Sequence, residues 1–102
     1  MRVIDPDDLP VRERLPGWRG RHFDSEHMTF GHWEFDAGAS IHEHSHPQEE
    51  VWHVVSGELE VTVAGETALL RPGMSAVVPP DARHSVRALT TGTALAVDHP
   101  VR

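Results

Sequence analysis

The 102-residue sequence predicts a single all-β domain, a sandwich or barrel. Two observations lead there. Gly, Pro, Asp and Ser punctuate the chain every several residues, and the segments between them alternate apolar and polar side chains, with no apolar stretch of helical period and helix length. The chain is long enough for an independent core but small enough that pairing of two copies would add stability, so a homodimer is expected.

Residues 1–27 are the least regular, carrying Pro6, Pro10, Pro16, Gly17 and Gly20 among charges. They leave room for at most short edge strands, and this segment is set apart from a barrel domain over 28–102. Residues 28–35 read as the first full strand, with Met28, Phe30, His32 and Glu34 on one face and Thr29, Gly31, Trp33 and Phe35 on the other. Asp36-Ala37-Gly38 turns it. Residues 50–55 and 58–63 read as the clearest hairpin, joined at Ser56-Gly57, with Leu59, Val61 and Val63 alternating against Glu58, Glu60 and Thr62. Ala64-Gly65 makes the next turn into 66–70, and 74–78, 83–89 and 93–97 supply further short strands.

Composition excludes several chemistries. A net charge of -7 argues against nucleic acid or an anionic membrane surface as partner, since both call for basic patches. No stretch has the length and apolarity of a transmembrane helix, and Asp5, Asp7 and Asp8 are unlike a signal peptide, so a cytoplasmic address is expected. Without Cys there is no disulfide, thiolate nucleophile or Cys-ligated zinc; without Lys there is no Schiff base; without Tyr there is no phenolic acid. Acid and base work falls to His, Asp, Glu or a metal-bound water.

The spacing that carries chemistry starts at Gly38: five residues, His44, Ser45, His46, three residues, Glu50, six residues, Gly57. On an extended strand His44 and His46 point the same way, with α-carbons roughly 6.5–7 Å apart, so two rings can converge on one ion. Pro47 breaks the strand and returns the chain, bringing the Glu50 carboxylate towards the two nitrogens. Glu49 competes for that role, but the count of six residues to Gly57 favours Glu50. A third imidazole, His84, ends a second punctuated segment running from Pro72-Gly73 to Pro79-Pro80. Together these residues suggest a divalent transition metal (Fe, Mn, Ni or Zn) held by three His and one Glu, with open positions for a small molecule. His42 shares the strand parity of His44 and His46 and is the candidate proton carrier. Trp52 shares the parity of Glu50 and points to the interior, as core packing or as a stacking surface. Trp33 and Phe35 are core or dimer contacts. Arg71, Arg83 and Arg87 are candidate clamps for a carboxylate, whereas His22, His27 and His99 have no supporting constellation.

These residues resemble the cupin superfamily, whose first motif reads G, five residues, HxH, three or four residues, E, six residues, G; every fixed position is present. The second motif, G, five residues, PxG, two residues, H, three residues, N, is matched at Gly73, Pro79 and His84. Asp81 replaces its second Gly and Ala88 its Asn. Asp tolerates the left-handed turn that Gly usually supplies. The resemblance covers residues 35–97 and implies a jelly-roll barrel, a double-stranded β-helix, with the metal inside. Glu43 to Pro47, the run Val78-Pro79-Pro80 leading to His84, and Pro100-Val101-Arg102 are also similar to short cupins that process unsaturated sugar acids, which implies a uronate-like substrate. Two functions follow. One is a metal-dependent enzyme, dioxygenase-like or an isomerase or lyase, acting on a small oxygen-rich molecule; the other is a non-catalytic module that senses or stores a metal or small ligand.

Overall fold

The computed structural model describes all 102 residues. After one 3-10 turn at Pro6–Asp8 come ten strands: β1 (Arg12–Leu15), β2 (Trp18–Asp24), β3 (Thr29–Phe35), β4 (Ser40–His44), β5 (Glu49–Ser56), β6 (Leu59–Val63), β7 (Glu66–Leu70), β8 (Ser75–Val78), β9 (His84–Ala88) and β10 (Gly92–His99). They form two antiparallel sheets, a six-stranded one in the order β1-β2-β3-β10-β5-β8 and a four-stranded one in the order β4-β9-β6-β7. This is the jelly-roll expected from the sequence. No helix is long and apolar enough to cross a membrane.

The core lies between the sheets. Trp18, Phe35, Val54, Leu59, Val78 and Ala88 are fully buried there, each contributed by the inward parity of its strand. Across the six-stranded sheet the inward side chains stack in rows. Trp18 lies opposite Phe35, Gly20 opposite Trp33, His22 opposite Gly31, and Asp24 opposite Thr29. On the other side of β3, β10 places Ala94, Ala96 and Asp98 against Trp33, Gly31 and Thr29, and also against Val54, Trp52 and Glu50 of β5. Small residues on β10 leave room for large ones on its neighbours. A Cβ on Gly20 would sit 2.5 Å from the His22 ring and 2.8 Å from Trp33, and one on Gly31 would sit 2.9 Å from His22. The two glycines let these rings lie against the sheet.

Three expectations are corrected. Residues 58–63 do not form a hairpin with 50–55: β5 pairs with β10 and β8, whereas β6 pairs with β7 and β9 in the other sheet. The chain crosses between sheets at Gly57, where φ is +75° and a Cβ would lie 2.5 Å from the Thr91 carbonyl oxygen, so the Gly that looks like a hairpin turn is a corner. The N-terminal segment holds more than edge strands. β1 is an edge, but β2 is a seven-residue strand paired on both sides that buries Trp18 in the core. Finally, β4 ends at His44, so His46 lies beyond the strand, and a bulge interrupts the β4 register between Ile41 and His44. Other turns follow the sequence: Ala64 and Gly65 close the two-residue β6–β7 turn with φ of 49° and 81°, and Asp81 takes the left-handed φ of 63° in place of Gly.

Candidate metal centre

His44 and His84 face each other across β4 and β9, with ring centroids 4.2 Å apart. His46, carried past the strand end, brings its ring to 4.9 Å from His84 and 5.7 Å from His44. Glu50 enters from β5 in the opposite sheet. Its Oε1 lies 3.4 Å from His84 Nε2, and its Oε2 lies 3.6 Å from His46 Nε2. One ligand atom from each of His44, His46 and His84 falls within 4.8 Å of the others, and the same holds for His46, Glu50 and Asp98.

The hydrogen bonds fix the tautomers. Each ring faces a backbone carbonyl two residues away through Nδ1: His44 to His42 at 2.8 Å, His46 to Gln48 at 3.1 Å, and His84 to Ala82 at 2.9 Å. A carbonyl only accepts, so Nδ1 carries the proton and Nε2 is left with its lone pair. Nε2 of His46 and of His84 is buried without a hydrogen-bond partner and faces a carboxylate. Lone pairs set against lone pairs in a buried space call for a cation between them. The spacings suit one: donors each about 2.1 Å from a shared ion stand roughly 3–4.2 Å apart. Burial is the first cause of the lowered pKa of both His44 and His46, which favours the neutral imidazole that ligates metals. The residues present therefore fit a divalent transition metal.

Glu50 is held firmly. Its Oε1 accepts a 2.6 Å hydrogen bond from the Trp52 indole N–H, and its side chain is 6% exposed. Asp98, opposite Glu50 on β10, is a buried carboxyl outside the sequence assignment. Its pKa is pushed up to about 7 by burial, by a hydrogen bond with Glu50 and by the Glu50 charge, while Arg102 opposes the rise. Arg102 Nη1 lies 3.4 Å from Asp98 and 3.6 Å from Glu50. The alternation of Ala94, Ala96 and Asp98 against Thr93, Leu95 and Val97 carried the signal for Asp98, but the strand read from sequence stopped at 97.

A cavity of about 490 Å³ opens beside the cluster, lined by His44, Glu50, Asp98, Trp18, Trp33 and Trp52 and, towards the rim, by Arg12, Arg14, His22 and Arg102. Trp33 and Trp52 stack at 6.3 Å, and Trp18 meets both edge-on. Trp52 thus packs in the core, lines the cavity and clamps Glu50. His42 does not share the inward face: the bulge after Ile41 sends Ile41 and His44 inward and leaves His42 exposed. Glu49 is exposed as well. None of Arg71, Arg83 and Arg87 lines the cavity, and Arg83 pairs instead with Glu43 at 2.6 Å on the surface. Ala88 is buried, and its N–H and C=O bond to Ala39 and Gly38.

Comparison with known proteins places this geometry. Residues 31–100 match the family described as Cupin domain. Polyketide synthase CurC of Streptomyces cyaneus is 47% identical over 51 residues, 49% of this chain and 33% of that protein, so the match spans about a third of the length of this curated relative. Among solved structures, an RmlC-like cupin from Shewanella frigidimarina superposes with a TM-score of 0.92 at 25% identity over 100% of this chain and 93% of its own. KdgF from Halomonas sp. does so with a TM-score of 0.92 at 24% identity over 100% and 96%.

Proposed function

Since this chain belongs to the cupin domain family, we propose that it is a metal-dependent enzyme acting on a small oxygen-rich molecule at His44, His46, Glu50 and His84. One observation carries the reading: the unpartnered Nε2 atoms of His46 and His84 face a buried carboxylate across distances that suit a shared ion. Bound there, Fe, Mn, Ni or Zn would supply Lewis-acid polarisation of a keto or enol oxygen, as an isomerase or lyase requires, or, as iron, redox reactivity with dioxygen. The chain supplies the rest. Trp52 fixes the Glu50 carboxylate, three carbonyls fix the imidazoles, and Trp18, Trp33 and Trp52 supply an apolar wall beside them. Asp98, buried on the cavity wall opposite Glu50, is favoured over His42, which is exposed and does not line the cavity, for holding or moving a proton.

Metal analysis of protein purified without chelator or nickel column tests the site. Near-stoichiometric metal is expected in the wild type and its loss in His44→Ala and Glu50→Ala; equal trace amounts in all three overturn the assignment. Oxygen uptake and conversion of keto-acid, enol and sugar-acid compounds by the loaded protein then test turnover. Tight binding of one of them without conversion would mark a sensor or store instead.

A further inference from the structure

Arg12 and Arg14 stand on β1, where a register shift falls between Arg12 and Leu15, and both line the cavity while remaining exposed. Arg2, Arg19, Arg21, Arg83 and Arg102 are engaged with carboxylates or backbone carbonyls, whereas the side chains of Arg71 and Arg87 are unpaired like those of Arg12 and Arg14 but do not line the cavity. Arg12 and Arg14 have no hydrogen-bond or ion-pair partner, although the chain has sixteen acidic residues against nine basic ones. Further in, the indole N–H of the cavity-lining Trp18 is a buried donor without a partner. Arg12, Arg14 and Arg102 all act electrostatically on His22, which places their charge over the same space.

We propose that Arg12 and Arg14 form a subsite for an oxyanion, the carboxylate or phosphate of a small molecule whose other oxygens reach the His44, His46, Glu50 and His84 cluster. This rests on the metal-site reading, which it extends to the charge of the ligand. A guanidinium fork matches a carboxylate or phosphate bidentately, and two free forks on one cavity wall offer more donors than a single anion needs. A cavity of about 490 Å³ takes a compact organic acid or phosphate with its polar ends at the two poles. The net charge of -7 makes an anion unwelcome elsewhere on the surface, so two positive side chains at the rim also select and orient it.

The test uses three probes on one carbon skeleton, glycerol, glycerate and glycerol 3-phosphate, titrated into the full chain with the fluorescence of its three tryptophans, all on the cavity wall, as readout. At least one anionic probe is expected to bind ten-fold or more tighter than glycerol, and the one that binds tighter identifies carboxylate or phosphate. Arg12→Gln/Arg14→Gln should abolish that preference with metal content and melting temperature unchanged, and Arg12→Lys/Arg14→Lys, which keeps the charge and serves if the Gln pair misfolds, should retain part of it. Equal binding of all three probes by the wild type, or an anion preference surviving in the Gln pair, overturns the subsite. Running the titration on metal-loaded and chelator-stripped protein separates the two readings. Full metal occupancy with no anion preference sinks the subsite alone, whereas an arginine-dependent preference in a chain that takes up no metal sinks the metal site alone.

Discussion

The two ends of the cavity are built on opposite plans. At the histidine end the side chains are pinned: each ring is tied to a carbonyl two residues away, and Glu50 is clamped by Trp52. At the arginine end Arg12 and Arg14 are exposed and unpaired on an edge strand whose register is broken by a bulge. Pinning is what an ion needs, because a coordination shell tolerates little error in donor position. Freedom is what a variable organic ligand can use, since an unfixed Arg retains up to about 2 kcal/mol of rotamer entropy and adapts its fork on binding. The contrast teaches that one barrel can separate a rigid reactive pole from an adjustable recognition pole.

The largest test of that contrast asks whether the N-terminal strands are wall or appendage. Trp18 is fully buried against Trp33, Phe35 and Trp52. Trp18→Ala should cost about 3–5 kcal/mol in urea unfolding, the loss typical of a large core side chain. A loss under about 1 kcal/mol would mean that β1 and β2 only lean on a barrel complete without them, and the arginine pole would then lack a fixed foundation. A smaller effect is expected from Trp52→Phe, which keeps an aromatic ring in place but removes the N–H that holds Glu50. Metal affinity, measured by competition with a chelator, should fall about 10–100-fold with the fold intact. Unchanged affinity would show that Glu50 needs no clamp and that the histidine pole is less rigid than its hydrogen bonds imply.

How much of each pole could be read from the sequence follows from how local its geometry is. His44, His46 and Glu50 lie within seven consecutive residues and His84 follows a turn whose Gly, Pro and Asp are visible, so their spacing alone brought them forward as ligands. Local pattern misled where one residue changed the parity. The β4 bulge turned His42 outward, and the corner at Gly57 sent β6 to the other sheet, because each depends on what approaches from elsewhere: β9 in the first case, the Thr91 carbonyl in the second. The arginine pole was not legible for the same reason. Arg12, Arg14 and His22 sit among prolines and charges that suggest irregular chain, and only the pairing of β2 with β3, over Gly20 and Gly31, makes them a wall. Arg71 and Arg83, which flank β7 and β9, and Arg87 on β9 carry the same residue type but do not line the cavity.

The smallest expected effect reads the arginine pole from inside the cavity. The His22 pKa is lowered from the ordinary 6.5, first by burial of the ring beside Trp33 and then by the charge of Arg14, with Arg102 and Arg12 adding to the drop and Asp98 opposing it. Folded protein therefore holds fewer protons at His22 than unfolded chain does below pH 6.5, so this residue's contribution to stability is present above 6.5 and is lost as pH falls through its lowered folded value. In metal-free protein His44 and His46, also lowered by burial, have the same sign, which is why a bulk unfolding curve cannot isolate His22. Proton NMR of the imidazole Cε1–H can. Arg14→Gln should raise the His22 midpoint towards 6.5 and leave its ring packing against Trp33 in place, while Arg19→Gln, whose guanidinium is tied to Asp36, should not move it. An unmoved midpoint in Arg14→Gln would put that charge too far from the cavity for an anion to bridge it to the histidine pole, and the division of labour between the two ends would fail at the arginine side.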